Sequence, residues 1–286
     1  MTVKSHILSI AVILMSVYPV TALAQLDKCS KLVVPYQDRK KIHIGVYSLD
    51  LHAPTGGQLV YLGSKHTLDP NDPQFELFER AWKNLVPTAA FYEGTDTSVR
   101  ASREEAIRLD GEPGLVRFLA RRDRVPAGSL EPSRQDGIDF LLKTFSPEQV
   151  KLFCVLRAIV ELRERNKRTA SELQGDVNGI LDRFTRYRGL ETVVRSDKEL
   201  EVAYRRYWKS PEHWWEAPAM WFNPLASSTA TGGVFTNEAN QASSTFRDTH
   251  MFELLAQSTR DGEKVFAVVG RDHIPMQEAA LKCATR

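Results

Sequence analysis

The chain has 286 residues, of which 42% are hydrophobic and 26% are charged, as expected for a globular protein that buries a substantial core. Its 38 Lys and Arg residues nearly balance its 36 Asp and Glu residues, so the formal net charge is only +2. This balance gives no overall field that would favour a nucleic acid as partner.

The first segment of the chain has the organisation of a secretory signal peptide. Lys4 precedes an apolar run, Ile7–Val20, and Ala22-Leu23-Ala24 supplies an A-x-A cleavage site. A retained membrane anchor is the alternative, but the run is shorter than the roughly 20 residues that a spanning helix needs. We therefore expect residues 1–24 to be removed, leaving residues 25–286 as a secreted or periplasmic protein with no membrane span.

Three cysteines allow one disulfide in an oxidising compartment. Cys154 lies in an amphipathic helical pattern and is expected to be a buried free thiol. Cys29 and Cys283 remain as the pair. Their disulfide would connect the two ends of the mature chain.

A strand, a helix and a second strand are predicted near the start of the mature chain. Residues 40–64 alternate as two strands around a turn at Thr55-Gly56-Gly57. A helix is then expected to begin at Pro73, with Asp72 as its N-cap. The segment "TAAFYEG" follows this helix as another strand. A crossover of this length favours a parallel βαβ unit, and His66 and Glu93 fall where its two strands end.

The remaining elements continue an α/β pattern. A short apolar stretch ends at Glu131, and residues 146–210 are mainly helical. A helix that begins near Ser244 carries Arg247, and "VFAVVG" is then a buried strand that ends just before His273. We expect one α/β domain with a mixed, largely parallel sheet flanked by helices and a helical insertion.

Residues 207–235 differ in composition from the rest, because they hold four of the five tryptophans between prolines and glycines. Such a segment is compatible with two interpretations. The tryptophans either close one end of the core or form a rim or lid that faces a substrate.

Five polar residues lie at predicted strand ends or in the helices that follow them: His66, Glu93, Glu131, Arg247 and His273. Each of the two histidines ends a G-x-x-H motif, in which glycine would let the backbone turn tightly so that the imidazole points into a cleft. Two imidazoles and a carboxylate can hold a divalent metal such as Zn²⁺ or Mn²⁺. The spare glutamate would then act as general base while Arg247 steadies an oxyanion, which is the layout of a hydrolase.

Other interpretations of these residues remain open. A single histidine after a strand is more often a structural residue than a ligand. Without a metal, His66 would be a general base oriented by Glu93, as in an esterase. A non-enzymatic protein would use the histidines and the Trp-rich segment to bind haem or another apolar ligand. His250, four residues after Arg247, is a reserve candidate on the same helix face.

Four blocks of this sequence, "YLGSKHT", "FYEG", "FRDTHMFELL" and "VFAVVGRDHIP", resemble the signature motifs of the TraB/GumN family. That family is related to Tiki metalloproteases and, more distantly, to erythromycin esterases and ChaN-type haem-binding lipoproteins. The resemblance covers residues 58–93, the segment around Glu131, and residues 246–286.

The resemblance implies an α/β core of two related halves, each giving a GxxH motif to a shared cleft. It also implies a metalloprotease-like activity with Mn²⁺, Co²⁺ or Zn²⁺ on a peptide or small-molecule substrate. His66, Glu93 and His273 would be metal ligands or acid/base residues, with Arg247 and Glu131 beside them.

The second motif departs from the family pattern. Arg271 and Asp272 stand between its Gly and His, where the family usually has small residues, and Met276 replaces a glycine. Asp248 replaces an amide that is common after the arginine. These departures bear on the metal-binding role of His273 more than on the fold.

Overall fold

The computed structural model of the protein describes residues 20–42 and 47–286. Most of the predicted signal peptide therefore lies outside the described residues, as does part of the first predicted strand segment. No helix within the described ranges is long and apolar enough to cross a membrane.

In the described part of the chain, five strands form one mixed sheet in the order β1-β2-β5-β3-β4. Only β1 is antiparallel to its neighbour, and the other four strands are parallel. The predicted α/β class and largely parallel sheet are thus confirmed. The strands on either side of the first crossover are parallel as expected, but the C-terminal strand β5 is inserted between them. The strands are β1 Ser48–His52, β2 Gln58–Ser64, β3 Ala89–Tyr92, β4 Ala127–Ser129 and β5 Lys264–Gly270.

Helices cover both faces of the sheet and form the section between β4 and β5. The described ranges also contain three 3₁₀ turns, Tyr36–Lys41, Trp214–Glu216 and Ala219–Phe222. The α-helices are α1 Val20–Ser30, α2 Pro73–Leu85, α3 Arg103–Asp123, α4 Arg134–Leu141, α5 Pro147–Glu164, α6 Ala170–Thr185, α7 Asp197–Tyr207, α8 Ser228–Thr231, α9 Thr236–Arg260 and α10 His273–Ala284.

The first crossover helix, α2, begins as its sequence predicts. The Asp72 side chain accepts a hydrogen bond from the Gln74 amide at 3.0 Å, and Pro73 occupies the first helical turn, where no amide hydrogen is needed. Its buried face lies against the sheet and consists of Phe75, Phe78, Trp82 and Leu85.

The central strand β5 contributes to two hydrophobic cores, one on each face of the sheet. Because successive side chains of a strand point to opposite faces, Phe266 and Val268 pack with α2 and α3. Val265, Ala267 and Val269 pack on the other face with α9 and α10. Every residue of β5 after Lys264 is buried, as the continuous apolar run predicts.

The helical middle section has a core of its own, to which the Trp-rich segment belongs. Trp208, Trp214 and Trp221 are buried in it, and the rings of Trp208 and Trp221 stack at 4.9 Å. Of the two interpretations of this segment, core closure is the one that describes these three residues.

Helix α9 begins at Thr236, whereas the sequence predicted a start near Ser244. The additional turns have no apolar stripe, because Ala239 is their only buried apolar residue and the others, Thr236, Asn237 and Asn240, are polar. Asn237 donates to the carbonyls of Met220 and Asn223 at 2.8 and 2.9 Å, so this end of the helix is held by hydrogen bonds to the Trp-rich segment.

The predicted disulfide between Cys29 and Cys283 is present and joins α1 to α10. Cys154 is the free thiol. It is partly exposed on α5 rather than fully buried as expected.

Candidate functional site

The five predicted site residues converge at the carboxyl ends of the parallel strands, with Glu93 at the centre. His66 Nε2 lies 3.9 Å from one oxygen of Glu93, and His273 Nε2 lies 3.6 Å from the other. Arg247 Nη2 donates to Glu93 at 2.6 Å and also bonds Glu131. Because β5 lies between β2 and β3, the two G-x-x-H motifs end on neighbouring strands.

The glycine of each motif packs against the other motif. A Cβ on Gly270 would lie 2.5 Å from His66 Nε2 and 3.1 Å from Glu93 Oε2. A Cβ on Gly63 would lie 2.7 Å from the Cα of Arg271. Neither glycine has a positive φ, so close approach, rather than the tight turn expected from the sequence, explains why a side chain is excluded.

His66 is held by a carboxylate that the sequence did not reveal. Its Nδ1 lies 2.5 Å from Oε1 of Glu112, whose residue is only 2% exposed. Its backbone has φ 54, a left-handed conformation that is uncommon outside glycine, and its amide donates to the Ser64 hydroxyl at 3.0 Å. The imidazole itself is 58% exposed, so it forms the accessible side of the site.

Glu112 reaches His66 because α3 is interrupted directly before it. Gly111 has φ 64 and ψ −142, a conformation essentially restricted to glycine, and Pro113 follows Glu112. The sequence signal for this break was "GEPG", residues 111–114, inside a helical pattern.

His273 has a matching partner, Asp248, on α9. Its Nδ1 lies 2.5 Å from Asp248 Oδ1, which also accepts from Gln277 at 3.2 Å. Asp248 is 1% exposed, and its second oxygen is buried without a hydrogen bond to any described residue. Asp248, one of the four departures from the motifs that this sequence resembles, is therefore the residue that orients the second histidine.

The donor set agrees with a divalent metal in three respects. Each histidine keeps Nδ1 on a carboxylate and turns Nε2 toward Glu93, as metal-binding imidazoles do. Around a tetrahedral metal with ligands at about 2.1 Å, two neighbouring ligand atoms are about 3.4 Å apart. The Nε2 atoms of His273 and His66 lie 3.6 and 3.9 Å from their nearer oxygens of Glu93. Gly270 leaves free the space between Nε2 and the carboxylate that a Cβ would occupy. Within residues 20–42 and 47–286, however, no three His, Cys, Asp or Glu side chains are arranged so that they could hold a metal ion as they stand.

Arg247 is fixed by Glu131 in a two-point ion pair. Its Nε donates to one oxygen of Glu131 at 2.6 Å and its Nη2 to the other at 2.5 Å, while the Gly94 amide also donates to Glu131 at 3.1 Å. The Nη1 group has no hydrogen-bond partner in the described part of the chain, and the side chain is 29% exposed. Glu131 thus holds Arg247 in place, and Nη1 is the donor that remains for a ligand.

Buried charges set the ionisation of the centre. Burial alone would raise the pKa of Glu93. Three groups outweigh burial and hold this pKa well below its ordinary value: His273, through a hydrogen bond and its charge, Arg247, through its charge, and the Gly270 amide, through a hydrogen bond. Burial lowers the pKa of His273, whereas its hydrogen bonds to Asp248 and Glu93 raise it, with a net result of about 9. The hydrogen bond to Glu112 is the main cause of the raised pKa of His66.

The reserve candidate His250 and the two residues between Gly270 and His273 have their contacts elsewhere. Asp272 accepts from Arg39 at 3.0 Å, and the guanidinium of Arg271 lies 5.5 Å from the Tyr47 ring, so both contact the N-terminal segment. His250 lies 6.3 Å from the Phe246 ring and forms no hydrogen bond among the described residues. Burial is the main cause of its lowered pKa.

Comparison of this chain with family models, with curated proteins and with solved structures returns no match.

Proposed function

We propose that this protein is an exported, metal-dependent hydrolase that acts on peptides at the centre formed by His66, Glu93 and His273. One observation carries the proposal: two imidazoles direct Nε2 to the same carboxylate, and each has its Nδ1 on a buried carboxylate. This is how proteins orient histidine for a metal. A bound Mn²⁺, Co²⁺ or Zn²⁺ would polarise a carbonyl and lower the pKa of its water toward about 7.

The other polar groups have roles that follow from their contacts. Glu112 and Asp248 hold the Nδ1 protons of the two histidines, and a metal would take the place of the Nε2 proton that the raised pKa of His273 favours in the metal-free protein. Arg247 keeps Glu93 ionised and presents its Nη1 hydrogens to the oxyanion of a tetrahedral intermediate. The substrate approaches from the side of His66, because His273 is only 8% exposed.

Two further parts of the proposal rest on the sequence as well. Membership of the TraB/GumN family, with two related halves, is supported by the meeting of all its motif blocks in one site. Secretion or a periplasmic location is supported by the A-x-A segment and by the disulfide, since disulfides persist in oxidising compartments.

Metal content and cleavage measured together test the proposal. Protein purified without chelator is analysed for Mn, Co and Zn, and a peptide library is incubated with it before and after EDTA treatment. We expect a stoichiometric metal, cleavage lost with EDTA and restored by one metal, and loss of both in His66→Ala. His52→Ala, at an exposed hairpin histidine, is the matched control. Metal-free protein whose activity is the same in His66→Ala would overturn the proposal.

A second candidate function uses the same residues without a metal. The exposed His66 with Nδ1 held by the buried Glu112 is also the arrangement of a general base and its orienting carboxylate, as in an esterase. Glu112, and not Glu93, then has the orienting role. Ester hydrolysis that survives EDTA and is lost in both His66→Ala and Glu112→Ala selects this function. The haem-binding alternative is tested by a Soret band on haem titration that is absent in His66→Ala.

A further inference from the structure

A chain of hydrogen bonds leads from the strand of the first motif to the second histidine. The Tyr61 hydroxyl donates to Oε1 of Gln277 at 3.2 Å, and Nε2 of Gln277 donates to Oδ1 of Asp248 at 3.2 Å. The same oxygen of Asp248 lies 2.5 Å from Nδ1 of His273. Tyr61 and Gln277 are both completely buried, so solvent does not compete for either bond.

Two elements of the site supply this chain. Tyr61 lies on β2, the strand that leads to His66, and belongs to the core that also contains residues of α9 and α10. Gln277 lies on α10, four residues after His273, and therefore on the same face of that helix. The hydrogen bonds thus connect the strand of the first G-x-x-H motif to the histidine of the second.

Asp248 needs a donor in addition to His273 because it is a buried charge. It is 1% exposed, and no lysine or arginine of the described ranges pairs with it. Held by His273 alone, the carboxylate could rotate about χ2, a torsion with broad energy wells. With Gln277, two donors meet at Oδ1, while Oδ2 has no hydrogen bond to any described residue. Gln277 therefore fixes which oxygen faces the imidazole.

Tyr61 fixes which end of the Gln277 amide faces Asp248. A glutamine amide has a donor at one end and an acceptor at the other, so a flipped amide would place Oε1 against the carboxylate. The Tyr61 hydroxyl donates to Oε1 and opposes this flip. Burial is the main cause of the raised pKa of Tyr61, and the hydroxyl therefore remains protonated as a donor.

We infer that Tyr61 and Gln277 are positioning residues of the site. They act through Asp248 to keep Nε2 of His273 directed at Glu93. The imidazole places Nδ1 on Asp248 and Nε2 3.6 Å from Glu93 in one ring orientation, and a carboxylate that is free to rotate would no longer fix that orientation. The consequence for metal binding rests on the proposed function, whereas the orientation of the imidazole is a property of the protein without metal.

Proton NMR of the metal-free mature protein tests this inference. An imidazole proton held by a carboxylate resonates far downfield of the amide protons, and the signal of His273 is identified by its absence in His273→Gln. We expect this signal to move upfield and to exchange faster with water in Gln277→Leu. Tyr61→Phe, which removes a single oxygen and keeps the ring in the core, should give a smaller change in the same direction.

Metal affinity, measured by isothermal titration calorimetry with Mn²⁺, Co²⁺ and Zn²⁺, extends the test to the bound state. Gln277→Leu should bind the preferred metal about tenfold more weakly than the wild type. The double variant Tyr61→Phe/Gln277→Leu should lose no more affinity than Gln277→Leu, because Tyr61 acts only through Gln277. A general loss of stability would not give this non-additive result in metal binding.

Two matched controls remove the same groups away from the site. Tyr204→Phe deletes the hydroxyl of a buried tyrosine that donates to the Pro211 carbonyl at 2.9 Å. Gln257→Leu deletes an amide of α9 that donates to Asp261 at 2.8 Å. Both should leave the His273 signal and the metal affinity unchanged.

The NMR result decides the inference separately from the proposed function. A His273 signal that is the same in Gln277→Leu, Tyr61→Phe and the wild type would refute the positioning role. A signal that changes as expected, in a protein that binds none of the three metals, contradicts the proposed function alone.

Discussion

His66 and Glu112 are 46 residues apart in the chain, yet Nδ1 of the histidine lies 2.5 Å from a carboxylate oxygen of the glutamate. The contact depends on a local break in α3, where Gly111 adopts a conformation that other residues avoid. Fixing Nδ1 in this way sets the tautomer of the imidazole and leaves Nε2 for a metal or a substrate.

Replacement of Glu112 by glutamine should weaken metal binding by about 10–100-fold, because the neutral amide holds the Nδ1 proton less strongly than the carboxylate does. Isothermal titration calorimetry of the apo protein with Mn²⁺, Co²⁺ and Zn²⁺ measures the effect. Glu104→Gln, at an exposed position of the same helix, should bind like the wild type. Equal affinities in the two variants would show that Glu112 does not support the site.

Strand boundaries were enough to predict where His66, Glu93, Glu131 and His273 lie. Alternation and apolar runs locate the strands, and the carboxyl ends of parallel strands share one edge of the sheet. The insertion of β5 between β2 and β3 had no local signal, because strand pairing is a contact between distant segments.

The carboxylates that orient the histidines were harder to find from sequence. Glu112 lies in a helical pattern like any charged residue, and only the neighbouring glycine and proline indicated a break. Asp248 was noticed as a departure from a family pattern, but its contact with His273 depends on how α9 packs against α10. Helical periodicity reports which face is buried and does not identify the partner of a buried polar residue.

Replacement of Gly270 by alanine should abolish metal binding and activity while the protein stays folded. The added methyl would lie 2.5 Å from His66 Nε2, so the imidazole must move away from Glu93. Metal content and peptide cleavage measure the loss, and near-ultraviolet circular dichroism checks the fold. Gly179→Ala, on α6 with open space around the new methyl, should leave all three unchanged. Full activity in Gly270→Ala would contradict the close approach of the two motifs.

Replacement of Arg247 by lysine should lower kcat by about 100-fold with a smaller effect on KM. Lysine keeps the charge but cannot bond both oxygens of Glu131 and also present a free N–H group to the oxyanion. Steady-state kinetics with the preferred library peptide measure the effect, and the metal content should stay the same. Arg121→Lys, on the exposed face of α3, is the control. A rise in KM by a similar factor, with kcat unchanged, would instead assign Arg247 to substrate binding.

Reduction of the Cys29–Cys283 disulfide should lower the free energy of unfolding by up to about 5 kcal/mol, because the bond closes a very long loop in the unfolded chain. The two cysteines are 254 residues apart. Urea unfolding with and without dithiothreitol measures the difference. Cys283→Ser should reproduce the reduced protein, while Cys154→Ser should respond to dithiothreitol like the wild type. Equal midpoints before and after reduction would exclude a stabilising role.

Asp110 should contribute stability that is lost in acid. The hydrogen bond from Arg100, at 2.9 Å, is the main cause of its lowered pKa, and Arg117 adds to it from 3.3 Å. Because the folded-state pKa lies below the unfolded value of about 3.9, this contribution is complete above that value and disappears as the pH falls through the folded-state pKa. Asp110→Asn should therefore be less stable than the wild type near pH 6, and the difference should shrink toward pH 3.

Urea unfolding at a series of pH values measures this difference, with Asp27→Asn as control. Asp27 is 76% exposed, and its ion pair with Lys31 spans 3.4 Å on the surface of α1, so its removal should change stability little at any pH. The Asp110 pairs also hold α3 next to the break at Gly111, and loss of stability in Asp110→Asn should be accompanied by weaker metal binding. A pH profile parallel to that of the wild type would show that the ion pairs of Asp110 do not stabilise the folded state.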